Sequence, residues 1–340
     1  MNRCQLINVA RKLGNSHARW PHLGLCYARS MTEPILGGAR SWNIALAVVL
    51  LLASANAEAL IVAQDDAKQT LRLFSPARRI VSLAPHITEN LFAAGAGGFI
   101  VGVSDYSDYP EAARRLPRFG SADRLDLEAI VALKPDLVIA WGSGNSAAHL
   151  AKLKAIGLPL FISQPRKIDD IATGIARFGE LAGTSTVAND AARAFLARKA
   201  ELSSRYAKRP LVRAFYQIWD QPLMTVNGEQ LISDVMRLCG AENIFAGLSQ
   251  LAPTVSVEAV LAANPEAIVA SGMDETRPKW LDMWRRWRDL TATARDNLFF
   301  VPPDIITRHT PRVLDGAQLL CTEMETVRSR RPGAIDARRP

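Results

Sequence analysis

A helix, a proline and a buried strand occur twice in this chain, and that repeat limits the folds open to it. Leu127–Ala140 reads LEAIVALKPDLVIA and Val257–Ala270 reads VEAVLAANPEAIVA. Glu128 and Glu258, Ala129 and Ala259, Ala132 and Ala262, and Pro135 and Pro265 coincide at one constant offset. Proline has no amide hydrogen and clashes with the preceding turn, so each copy ends a short helix and releases an apolar strand. Internal similarity of this kind predicts two related halves. Helix–proline–strand units also occur by chance, but the matched glutamates favour shared architecture.

The flanking sequence carries the same alternation. The first half predicts strands at Arg79–Ala84, Ile100–Val103, Leu137–Trp141 and Leu160–Ile162, with helices at Ile87–Ala94, Leu127–Leu133 and Ala147–Ala155. The second predicts strands at Val212–Ile218, Ala267–Ala270 and Leu298–Val301, with helices at Gln230–Leu238 and Val257–Ala263. Strands alternating with helices imply parallel sheets covered by helices. Between the halves, Val187, Ala191, Ala194, Phe195, Leu202 and Tyr206 recur at helical spacing, and Pro210 ends the run. A final helix starts at Pro311 and points Val313, Leu314, Ala317, Leu320, Cys321 and Met324 inward. The fold class is therefore α/β: two lobes, each a mostly parallel sheet flanked by helices, joined by one long backbone helix. The expected division is 1–57 as an exported leader with its extension, 75–184 and 210–327 as lobes, 185–209 as the connecting helix, and 328–340 as a disordered basic tail.

The leader rests on Ile44–Ala53, ten apolar residues preceded by Arg40 and followed by Ala55-Asn56-Ala57. That run is short of the about 20 residues a membrane span needs, and the small residues after it suit signal cleavage. An uncleaved anchor is the other reading, and Met31 is an alternative start. The net charge of +8 is misleading, because six basic residues against one acid lie before residue 58 and five arginines crowd the last thirteen positions. The body is nearly neutral, which argues against nucleic acid as a partner. Past the leader only Cys239 and Cys321 remain, either a disulfide in an oxidising compartment or two buried thiols.

Catalytic signatures are missing. Beyond the leader there are three histidines, His86, His149 and His309, with no HxH, HExxH or CxxC spacing, so no metal site is expected. Gly142-Ser143-Gly144-Asn145 lacks the third glycine of a dinucleotide loop and reads as a turn. No cofactor is expected. Trp280, Trp284 and Trp287 share a helical face and read as core. Tyr106 and Tyr109 in DYSDYP and Trp141 at a strand end are better placed for a ligand, because open α/β sheets bind ligands beyond the carboxyl ends of their strands. His309, beside Arg308, reads as a solvent or hydrogen-bonding residue that could also touch a metal carried by a ligand.

Five runs carry a resemblance along the body: VGVSDYSDYP at Val101–Pro110, LEAIVALKPDLVIAWGSGN at Leu127–Asn145, CGAENIF at Cys239–Phe245, VSVEAVLAANPEAIV at Val255–Val269, and TPRVLDGAQLLC at Thr310–Cys321. In order and content they resemble the substrate-binding proteins of bacterial ABC importers, and the cobalamin binders most strongly. Siderophore and haem binders share that fold. The resemblance implies a monomeric periplasmic binding protein and no enzyme. Its partners would be a corrinoid ligand and an inner-membrane ABC permease with its ATPase. It implies a cleft lined by Tyr106 and Trp141 from one lobe and Asp304 and Arg308 from the other, with Thr225 and Ala252 at further cleft positions. It also implies permease docking through Glu128 and Glu258, and a Cys239–Cys321 disulfide. The chain departs from the cobalamin pattern where Ala122 and Ala252 replace tryptophans, where Met224-Thr225 lacks an aromatic, and where Ile305 replaces another. Cobinamide, an iron-siderophore or haem are the alternative cargoes. A periplasmic enzyme or sensor reusing the fold is the reading from another class, and a neighbouring permease–ATPase gene pair would argue against it. Edman sequencing of the exported protein is expected to begin near Glu58; an intact 31–57 segment on membrane-bound protein would refute cleavage.

Overall fold

A computed structural model describes residues 60–121, 123–272 and 276–333. The leader with its cleavage site, Ala122 and the last seven residues lie outside them. Two four-stranded parallel sheets organise the body. The first contains β1 (Ile80–Ser82), β2 (Ile100–Val103), β3 (Leu137–Trp141) and β4 (Leu160–Ser163) in the order β2-β1-β3-β4. The second contains β5 (Val212–Gln217), β6 (Ala241–Asn243), β7 (Ala267–Ala270) and β8 (Leu298–Phe300) in the order β6-β5-β7-β8. The two orders are the same, so the halves share a topology as well as a motif.

Besides a single turn at Thr291–Ala294, the α-helices are α1 (Pro85–Ala93), α2 (Leu127–Ala132), α3 (Ala147–Ala155), α4 (Ile168–Ala182), α5 (Ser185–Tyr206), α6 (Leu231–Leu238), α7 (Val257–Ala263), α8 (Pro303–Ile306) and α9 (Val313–Ser329). The repeated unit is α2–β3 in one lobe and α7–β7 in the other. Asp126 caps α2 by accepting from the Ala129 amide at 3.0 Å, and Ser256 caps α7 by accepting from the Ala259 amide at 3.2 Å. Before each proline the chain turns through a left-handed residue, Lys134 (φ 47°) and Asn264 (φ 44°). Asparagine tolerates that conformation better than lysine does.

Strand alternation builds three cores. Leu137 and Ile139 of β3 and Ala267 and Val269 of β7 face one central cluster that runs through both lobes. Val138 and Ala140 face an outer cluster on the first sheet, and Ile268 and Ala270 face another on the second. Burial of both faces explains why these strands are apolar throughout.

The connector differs from the predicted one in two ways. Before α5 lies α4, a helix of 15 residues that the sequence reading does not separate out. The two pack so closely that a Cβ at Gly179 would lie 2.1 Å from the Ala188 side chain. The buried stripe of α5 is Ala188, Ala192, Phe195, Leu202 and Tyr206, while Val187 and Ala194 are exposed. The predicted face is thus turned by about one residue at its start, because α4 fixes the entry angle. At 22 residues α5 spans about 33 Å.

The expected tail begins too early. Arg328 is buried at the end of α9, donating from Nε to the Pro210 carbonyl (2.7 Å) and from its second terminal nitrogen to the carbonyls of Cys239 and Gly240 (2.9 Å each). Arg331 pairs with Glu266 at 2.8 Å. These arginines satisfy carbonyls left open at element ends, so at least residues 328–331 belong to the fold. Cys239, closing α6, and Cys321, in α9, form a disulfide. No described helix is long and apolar enough to cross a membrane.

Candidate functional site

Because all eight strands are parallel within their sheets, each sheet gathers its carboxyl ends along one edge. Those edges face a shared cleft of about 870 Å³. The first lobe contributes Tyr106 beyond β2, Trp141 at the end of β3, and Gln164, Pro165 and Arg166 beyond β4. The second contributes Trp219 beyond β5, Ser271 beyond β7, and Asp304, Arg308 and His309 around α8. The volume lies at the upper end of the range for pockets that enclose small ligands.

Trp141 is held from three sides. Its amide donates to Asn145 Oδ1 (2.7 Å), and Asn145 Nδ2 donates to the Leu83 carbonyl (3.0 Å), anchoring the loop to β1. A Cβ at Gly144 would sit 1.8 Å from Cε3 of the indole, so only glycine lets the ring rest on that turn. The His86 ring meets the indole edge-on with centroids 5.2 Å apart. The indole Nε1 is buried without a protein hydrogen-bond partner. Tyr106 is 68% exposed on a left-handed backbone (φ 63°), a flat ring at the mouth.

A charged back wall joins the lobes. Glu89, on α1, is almost fully buried and pairs with Arg308 (3.2 Å) and Arg312 (2.7 Å), which flank the start of α9. Arg308 also pairs with Asp304 at 2.9 Å. The Arg312 guanidinium lies over the Tyr109 ring, 4.2 Å from its centroid. Asn90, next to Glu89, donates to the His309 carbonyl at 2.9 Å. Arg308 thus presents a fixed cation to the cleft. At the mouth, the exposed pair Arg166–Glu229 (3.7 Å) crosses between lobes and contributes little energy.

Burial disfavours the charged form of both imidazoles here. Burial pushes His86 down to about 3, with His309 and Arg308 adding to the shift. Burial also pushes His309 down to about 4, against the opposing charge of Asp170. Among the described residues no group of three or more His, Cys, Asp or Glu side chains could hold a metal ion.

Of the predicted ligand residues, Tyr106, Trp141, Ala252, Asp304 and Arg308 come together in the cleft. Thr225 does not. It is fully buried, and its hydroxyl donates to the Tyr216 carbonyl at 2.7 Å, so the adjacent Val226 faces the cleft instead. Ile305 packs against the central core. Glu128 and Glu258 are exposed at matching positions of α2 and α7, away from the cleft lining. Hydrogen bonds from its own amide and from Ser256 hold the Glu258 carboxylate below its ordinary range. Trp284 is core, its indole donating to Gln217 at 2.7 Å, with Trp280 and Trp287 packed beside it. Trp219 escaped the sequence reading, although an aromatic just past a strand end was the signal that found Trp141. Glu89 was missed and His86 was given no cleft position, because their partners Arg308, Arg312 and His309 lie on the last segment of the chain, far away in sequence.

Removing Glu89 would strand two mostly buried guanidinium groups. Glu89→Ala is expected to lower the unfolding free energy by about 3–5 kcal/mol. Urea denaturation of the exported protein measures this, and a loss below about 1 kcal/mol would show that the cluster is not a structural tie.

The sequence profile of the periplasmic binding protein family matches residues 80–305. The vitamin B12-binding protein of Vibrio cholerae serotype O1 is 39% identical over 251 residues, covering 74% of this chain and 90% of that protein. The crystal structure of the periplasmic vitamin B12 binding protein BtuF of Vibrio cholerae superposes with a TM-score of 0.69 at 38% identity, covering 74% of this chain and 98% of that one. The periplasmic haem-binding protein RhuT from Roseiflexus superposes with a TM-score of 0.62 at 23% identity, over 74% of this chain and 99% of that one, a likeness of fold.

Proposed function

This chain belongs to the periplasmic binding protein family, and from that premise we propose that it captures a corrinoid between its lobes and delivers it to an ABC-type permease driven by its ATPase. The observation that carries this reading is the cleft itself. A large, mostly planar cargo requires flat apolar walls and few orienting polar groups. Trp141, Trp219 and Tyr106 supply the walls, while Arg308 supplies donors. Ala252, exposed at the rim, leaves room on one side, which suits an incomplete corrinoid such as cobinamide as well as cobalamin. We further propose that the protein acts as a monomer, after cleavage near Ala57 in the periplasm.

Isothermal calorimetry with cobalamin, cobinamide, haem and a ferric siderophore tests the cargo. One of the corrinoids is expected to bind well below the millimolar range. Trp141→Ala should weaken it by about 2 kcal/mol or more, over tenfold, whereas Trp284→Ala should lower stability and leave affinity largely intact. Binding of another cargo in place of both corrinoids would refute the assignment.

Glu128 and Glu258 are the candidate docking acids, one per lobe at the same place in each repeat. A partner with two related subunits would meet one on each. The double reversal Glu128→Lys, Glu258→Lys is expected to abolish uptake with corrinoid affinity nearly unchanged; normal uptake would mark both acids as plain surface.

A further inference from the structure

Two of the three histidines in the body converge on the cleft although they lie far apart in sequence. His86 opens α1 in the first lobe and His309 follows α8 in the second, and their ring centroids are 5.8 Å apart. His309 lines the cleft, and His86 sits behind it against Trp141. His86 is 5% exposed, and its Nε2 is buried with no hydrogen-bond partner. An unpartnered buried polar atom costs about 1–3 kcal/mol, so core packing alone does not account for a histidine there.

We infer that His309 supplies an axial nitrogen to a metal held at the centre of the cargo, with His86 as the positioning residue behind it. This rests on the reading above, that the cargo is a metal-centred macrocycle. Two imidazoles are too few for a bare ion, and no larger ligand group exists among the described residues. A corrin or porphyrin, however, already supplies four in-plane nitrogens and leaves an axial position to fill, for which one protein imidazole is enough. A metal-bound histidine commonly gives its second nitrogen to a hydrogen-bonding partner, and His86 offers an unpaired one nearby. The backbone of His309 is fixed by the Asn90 hydrogen bond, and its neighbour Arg308 by Glu89 and Asp304. The step is a ligand exchange. The imidazole lone pair forms the metal–nitrogen bond, the water or weak base on that face leaves intact, and no electron or proton is transferred.

Cobinamide is the decisive probe because it carries no nucleotide base of its own. Bound to the exported protein and reduced to Co(II), it should give an electron paramagnetic resonance spectrum split by one axial nitrogen. His309→Ala should still bind cobinamide in calorimetry, about tenfold more weakly, and lose the splitting. His86→Ala should lower the coordinated fraction, and His86→Asn, which keeps a polar side chain there, should restore it. Cobinamide bound by the wild type without nitrogen splitting, or splitting that survives in His309→Ala, would overturn the inference and leave the corrinoid reading standing. If no corrinoid binds, haem is titrated with the same variants. A Soret shift abolished by His309→Ala would keep the axial role and overturn the corrinoid reading, while binding of neither macrocycle would overturn both.

Discussion

The buried carboxylate of Glu89 is the interaction on which the arrangement of the two lobes depends. It belongs to the first helix of the first lobe, and its partners Arg308 and Arg312 belong to the last segment of the second. A carboxylate with so little solvent survives only if charge and hydrogen bonds surround it, and three guanidinium hydrogen bonds do so here. The requirement runs both ways, since each arginine is itself mostly withdrawn from water. The cluster therefore fixes where α8 and the start of α9 stand relative to α1. Arg308 and His309 inherit their places in the cleft from it. A second tie, from the Ile168 amide to Asp234 (3.0 Å), joins the start of α4 to α6.

Much of the frame was legible because it follows local rules that tertiary context does not overturn. The repeat at Leu127 and Val257 places the same helix, the same left-handed turn and the same buried strand in both lobes, and the identical strand orders extend that equivalence to whole sheets. Strands buried on both faces are uniformly apolar, so β3 and β7 are read correctly to the residue. Long-range packing was less legible. Val187 belongs by periodicity to the inner face of α5, yet the close approach of α4 at Gly179 turns Ala188 inward instead. Arg328 resembles a tail residue in composition, but it caps the open carbonyls of Cys239 and Gly240, which lie far away in sequence.

The site shows the same division. Trp141 could be found because a strand end is a local feature and the ligand edge of a parallel sheet follows from chain direction. Thr225 could not be excluded that way, since its hydroxyl points inward to the Tyr216 carbonyl of a neighbouring strand. Glu89 and His86 carry no local mark of their contacts. They meet the second lobe only when the final segment of the chain folds back over α1, and no spacing along the sequence encodes that meeting.

The combination of ties limits how the cleft can open. The lobes share a continuous apolar core, one 22-residue helix spans them, and buried charges pin the rear wall. Hinge closure of many tens of degrees would break the core and leave Glu89 without partners, a cost of several kcal/mol. Motion is then confined to the mouth, where Tyr106 and the exposed Arg166–Glu229 pair can rearrange at little cost. A cleft built this way is preorganised, so little of the binding energy is diverted into ordering the protein. Under the proposed binding role, discrimination between cargoes would come from fixed walls and donors, from Trp141 on its glycine turn, Arg308 in its carboxylate cradle, and the histidines beside them.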